Sequence, residues 1–300
     1  MKALNDLNTI ISNDYHTEAV PTNQNNPIKY PKGRVLTFID DDGLATIMDV
    51  QPENPAIPSV TGFWTSEDGT GIVEIIRNKY PDINFRIGFA IITGWVQSEK
   101  YGYLNLDKIK KLQTAGHEIY SHTIDHVDAN EQYDDNNHIP VSQEYLNAQY
   151  DFSQQWLIYN GCPTKSKILV YPGGLNPKNP TCERFEETIN IARKYYDYAV
   201  NTNLEDSFYP KQSDAKWTLR RINCDELQLN EIEKIIENAA DKNGWFISMT
   251  HAYSEAHDKE SMIEKQNKII ALIEYCIDPK NNITILPFSE AVEYYNYSHF

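Results

Sequence analysis

Between residues 34 and 295, short β-rich apolar runs alternate with segments of helical period, and that alternation limits the possible folds more than any other feature of the chain. Runs 34–39, 85–92, 118–120, 168–171, 198–201, 217–222, 245–249 and 283–286 read as strands. Segments 71–79, 106–115, 143–159, 182–195, 229–240, 261–276 and 288–295 read as helices. In the second of these, Leu106, Ile109 and Leu112 form one apolar stripe, and Gly116 stands where a helix C-cap glycine belongs. Strands that alternate with helices call for a parallel sheet with helical crossovers. Seven or eight such units fit an α/β barrel better than an open sheet. A chain of 300 residues with 40% hydrophobic content is long enough for one large core. Residues 1–32, polar and rich in Asn and Pro, read as an N-terminal arm, with a single domain over 33–300. Pro52, Pro55 and Pro58 make 44–66 loop-like.

The formal net charge of -16 repels phosphate backbones, so nucleic acid is not an expected partner. No run of apolar residues is long enough for a membrane span. Met1 to Asp14 lacks a charged region followed by an apolar one and does not read as a signal peptide, which leaves localisation open. Cys162, Cys182, Cys224 and Cys276 are scattered without a C-x-x-C pair, so buried free thiols are expected rather than a zinc knuckle or redox motif.

Chemistry-bearing residues collect where the strands end, which in α/β barrels is where reacting groups sit. Strand 34–39 runs into Asp40-Asp41-Asp42-Gly43. Strand 118–120 leads to His122 and His126, four residues apart. Strand 168–171 ends in Tyr171-Pro172-Gly173-Gly174, Arg220-Arg221 lies at 217–222, and strand 245–249 leads to Thr250-His251. Each piece alone has an ordinary explanation. Asp runs and Pro-Gly-Gly commonly make turns, two histidines fall four apart by chance, and paired arginines are commonly solvated. Their order and their shared placement point to a site. Two imidazoles with a carboxylate hold a divalent metal and leave a position open for water. A second carboxylate suits a general base, a histidine across the pocket a general acid, and the Gly-rich turn an oxyanion donor.

The ordered set resembles the polysaccharide deacetylase family, also known as NodB-homology or carbohydrate esterase 4. Thr37-Phe38-Ile39-Asp40-Asp41-Asp42-Gly43 is similar to its Thr-Phe-Asp-Asp-Gly motif. Residues 116–126 are similar to its Gly-His-Glu-Ile-x-x-His-Thr-x-x-His motif nearly residue for residue, and 247–251 to its hydrophobic-x-His motif. The resemblance implies a distorted (β/α) barrel and a hydrolase of non-peptide carbon–nitrogen bonds that removes acetyl groups from N- or O-acetylated glycans. It implies Asp42, His122 and His126 as ligands of one divalent ion, zinc first, with cobalt, manganese or nickel as alternatives. It implies Asp41 as base, His251 as acid, and Tyr171, Pro172 and Gly173 as the substrate and oxyanion turn. The Asp motif carries one extra residue. Counting back from Gly43 selects Asp41 as the base, whereas counting forward from Thr37 favours Asp40, and strand alternation suggests a local bulge. The family's arginine before the Pro is replaced by Val170-Tyr171. Arg221 is the expected substitute, orienting Asp41, and Arg221→Ala is expected to depress activity with fold and metal largely intact. Two other readings stand beside the first. One is a deacylase or amidase of a non-sugar substrate, the other a catalytically silent carbohydrate-binding relic.

Overall fold

Val35, Leu36, Phe38 and Ile39, interrupted only by Thr37, make a strongly apolar run, and the strand they form becomes the centre of the sheet. The structure, a computed structural model, describes residues 33–48, 62–96, 102–137, 139–175, 183–202, 216–238, 244–252 and 259–299. The expected arm, Pro52, Pro55, Pro58 and Cys182 lie outside the described residues. β1 (Arg34–Asp40) is buried from Val35 onward, as a strand covered on both faces must be. Along one edge, Val35 through Asp40 pair with β9 (Trp245–Thr250). The other edge is shared. Its first half pairs with β10 (Ile283–Ile285), and Ile39 and Asp40 pair with β2 (Gly88–Ile91).

Beyond β2 come β3 (Glu118–Ser121), β6 (Ile168–Val170) and β7 (Tyr198–Val200), and beyond β9 comes β8 (Ile222–Asn223). All of these pairings are parallel. A small antiparallel hairpin, β4 (Tyr133–Asp134) and β5 (Ile139–Pro140), stands apart. One further parallel bridge, Val200 to Leu219, links β7 to the segment that enters β8. The sheet therefore curls into a barrel whose seam is a bridge, not a ladder. Residues 217–222, read from sequence as one strand, divide here. Leu219 serves β7 and Ile222 serves β9, with Arg220 and Arg221 between them. This split is what distorts the barrel.

The crossovers are α1 (Ile72–Lys79), α2 (Leu106–Thr114), α3 (Gln143–Tyr159), α4 (Glu183–Tyr195), α5 (Leu229–Asn238), α6 (Lys259–Ile277) and α7 (Phe288–His299). α2 starts on an Asn105 cap and stops at Gly116, where φ is 92°. His117 N–H then returns to Leu112 O at 3.1 Å, so the glycine ends the helix and aims β3 at the site. Under the sheet, Phe38 packs edge-on to Trp64 and Phe85, with ring centroids 6.5 and 5.7 Å away. No helix among the described residues is long and apolar enough to cross a membrane.

Candidate active site

β1 ends at Asp40, and the next residues turn sharply, with Asp42 at φ 72° and Gly43 at φ 65°. This left-handed turn, not an in-strand bulge, is how the extra residue of the Asp run is absorbed. It sends three adjacent carboxylates to three different places. Asp42 faces His122 and His126, its Oδ1 lying 3.3 Å from Nε2 of each. One ligand atom from each of the three lies within 4.8 Å of the others.

The donor chemistry of this trio fits a cation. His122 Nδ1 sits 2.8 Å from Val170 O. A carbonyl only accepts, so Nδ1 carries the proton and the Nε2 lone pair faces Asp42. Asp42 Oδ1 is buried and accepts no hydrogen bond among the described residues. A carboxylate oxygen, the His122 Nε2 lone pair and His126 Nε2 converging on one point are the donor types of a divalent-ion site.

The histidine loop holds its shape through contacts that no motif reveals. Thr123 and His126 have φ of 65° and 56°, a region β-branched residues avoid. Gln149, buried in the middle of α3, compensates. Its Oε1 accepts from Ile124 N and Asp125 N, both at 3.0 Å, and its Nε2 donates to Asp125 Oδ2 at 2.9 Å.

Asp41 goes to Arg221. The guanidinium donates to both carboxylate oxygens, at 2.7 and 2.8 Å, and both side chains are almost fully buried. Each oxygen keeps a second lone pair for another proton. Burial also corrects the expectation that Arg221→Ala spares the fold, because that change strands a buried carboxylate. Asp40 goes the other way, beneath the site. Its Oδ2 accepts from Trp64 Nε1 at 2.7 Å and Thr250 Oγ1 at 2.8 Å. Burial is the largest influence on it and, against those bonds, raises its pKa to about 8.

The turn after β6 divides its three expected participants. Tyr171 N–H already donates to Val200 O at 3.1 Å, and its ring is buried near Tyr150. Pro172 has no N–H. Gly173 is exposed at φ 65°, and its N–H makes no hydrogen bond among the described residues. It is the one donor this turn offers. A Cβ at Gly173 would lie 2.3 Å from Asp128 Oδ2 on a backbone of positive φ, and both favour glycine there.

His251 follows β9, and its partner is Asp225 from the turn after β8. Nδ1 lies 2.6 Å from Asp225 Oδ2, and His251 N donates to the same oxygen at 3.1 Å. Burial disfavours the imidazolium, but the Asp225 bond and the charges of Asp41 and Asp42 outweigh it and raise the pKa to about 9. The folded chain therefore holds this proton more tightly than the unfolded chain, whose ordinary value is 6.5. The resulting stabilisation is complete below about pH 6.5 and is lost as pH rises through about 9. Metal-free wild type is expected to lose more melting temperature across that window than His251→Gln. Equal losses in thermal melts of the two would contradict the pairing.

Residues 82–188 match the sequence model of the family described as polysaccharide deacetylase. Over that stretch the chain is similar to the polysaccharide deacetylase family. No curated protein matches the chain. Among solved structures, a Streptococcus pyogenes deacetylase in complex with acetate is 14% identical with a TM-score of 0.41, and 62% of each chain is covered. The chain thus spans under two thirds of that protein. The Bacillus anthracis protein BA3943, described as a carbohydrate esterase 4 pseudoenzyme, is 11% identical with a TM-score of 0.46, covering 86% of this chain and 65% of its own. Puue allantoinase is 12% identical with a TM-score of 0.49, covering 95% of this chain and 99% of its own.

The deacetylase match contains His122, His126 and the Pro172-Gly173 turn. Asp41, Asp42, Arg221, Asp225 and His251 fall outside it, and the fold brings them to the same end of the sheet. Asp225 and Gln149 are the residues that sequence reading missed. For Asp225 a signal existed, since it is a carboxylate just past a strand end. Gln149 left none.

Proposed function

We propose that this protein is a metal-dependent hydrolase that removes acetyl groups from an N- or O-acetylated glycan. The observation that carries the reading is one arrangement: the Asp42, His122 and His126 trio beside an Arg221-held Asp41 and an Asp225-held His251. Asp42, His122 and His126 would hold one divalent ion, zinc first. Bound there, it supplies Lewis acidity, polarising an acyl carbonyl and lowering the pKa of water. Asp41, oriented by Arg221, takes a proton from the attacking water. Gly173 N–H donates to the oxygen that gains charge. His251, with Nδ1 committed to Asp225, presents Nε2 to protonate the leaving nitrogen, which departs as an amine. A sugar substrate is favoured by the family and by Trp95 and Tyr103. These half-buried rings lie 4.9 Å apart, and Trp95 stacks on His126 at 6.0 Å, a surface suited to a pyranose face.

The test is acetate release from N-acetylated chito-oligosaccharides and O-acetylated sugars by zinc-loaded protein. Turnover on either supports the reading. Cleavage of small acyl amides alone supports the non-sugar amidase. Binding of the sugars without acetate release from any substrate supports the silent relic.

A further inference from the structure

α6 brings a third residue to the His251 and Asp225 pair. Lys265 Nζ lies 2.5 Å from Asp225 Oδ1, the oxygen that His251 does not use. The same ammonium donates to His251 O at 2.7 Å. Only 13% of the Lys265 side chain is exposed. A lysine rarely accepts such burial without partners of this kind. One turn on, Lys268 Nζ lies 3.3 Å from Asp225 O and 3.2 Å from Leu227 O, fastening the backbone of the same turn.

We propose that Lys265 is a positioning residue that fixes Asp225 and the His251 main chain together and weakens the hold of Asp225 on the His251 proton. The proposal rests on the deacetylase reading only for its consequence in turnover. Asp225 shares one carboxylate between an imidazole and an ammonium. Because the ammonium draws on the same negative charge, the imidazole gives up its proton more readily than it would to Asp225 alone. Without Lys265 the acid becomes more basic and a poorer donor to a leaving group. The titratable groups around His251 are Asp225 from the turn after β8, Asp41 and Asp42 from the end of β1 with the largely uncharged Asp40 beside them, and Lys265 from α6. Arg221 acts one step back on Asp41, and Lys268 on the Asp225 backbone.

The test is an NMR titration of the His251 ring protons in the zinc-loaded protein. It compares wild type with Lys265→Gln, which keeps a polar N–H donor but carries no charge. Lys265→Arg, which keeps the charge, is the control that remains folded if the glutamine variant does not. The His251 titration midpoint is expected to rise in Lys265→Gln and to stay near wild type in Lys265→Arg. An unchanged or lowered midpoint in a folded Lys265→Gln protein overturns the proposal, as does a rise in Lys265→Arg as large as in Lys265→Gln. If only Lys265→Arg folds, a midpoint moved by a unit or more in that variant overturns it and an unmoved one supports it. In acetate release, the alkaline limb of Lys265→Gln is expected to move to higher pH, with turnover on amides falling several-fold more than on aryl acetates. A purely structural lysine would lower the melting temperature and leave the limb in place. Absence of acetate release in wild type would sink the deacetylase reading and leave the titration test standing.

Discussion

Asp41→Asn is expected to retain its metal and lose about 10²–10⁴-fold in turnover, while Asp40→Asn stays close to wild type. The two residues are neighbours in sequence and opposites in the fold. Asp41 is paired to a guanidinium at 2.7 and 2.8 Å and keeps lone pairs for an incoming proton. An amide in its place cannot take that proton and turns an NH2 group towards Arg221. Asp40 is wholly buried beneath the site, held by Trp64 and Thr250 through one oxygen, with its other oxygen unpartnered among the described residues. With a pKa near about 8 it is largely uncharged at neutral pH, so Asn preserves both its charge state and the acceptor it uses. Steady-state acetate release from the two variants decides the register. Severe loss in Asp40→Asn with a mild Asp41→Asn would assign the base to Asp40.

Arg221→Ala is expected to cost stability as well as turnover, about 3–5 kcal/mol in urea or guanidinium unfolding. Arg221 is among the largest fully buried side chains. Its removal leaves the Asp41 charge buried without a counterion and opens a cavity in the barrel. Combining it with Asp41→Asn removes the stranded charge, so the double variant is expected to regain part of the loss. If Arg221→Ala unfolds within about 1 kcal/mol of wild type, the guanidinium is not supporting the carboxylate as the geometry indicates.

The parts of the site that were legible in sequence are those whose partners lie close in the chain or at strand ends. His122 and His126 are set by one loop, and the strands feeding them are apolar enough to read directly. The choice between Asp40, Asp41 and Asp42 was not settled in sequence, because alternation assumes a continuing strand. The chain instead leaves β1 through a left-handed Asp42. Arg221 and Arg220 differ by one position and were separable only by burial. Arg221 enters the barrel where the 217–222 run splits between two neighbouring strands. Asp225 and Lys265 meet His251 from 26 and 14 positions away, distances at which an ordinary Asp or Lys carries no local signal. The β4–β5 hairpin has two residues per strand, too few for period-two alternation to register.

Metal content and turnover, measured together on wild type, His122→Ala and His126→Ala, test the central claim most directly. The expected result is one divalent ion per chain in wild type, acetate release that stops on chelation and returns with zinc, and neither ion nor release in the two variants. Full metal occupancy in both variants, or chelator-resistant acetate release by wild type, would contradict the assignment of Asp42, His122 and His126 as the site on which hydrolysis depends.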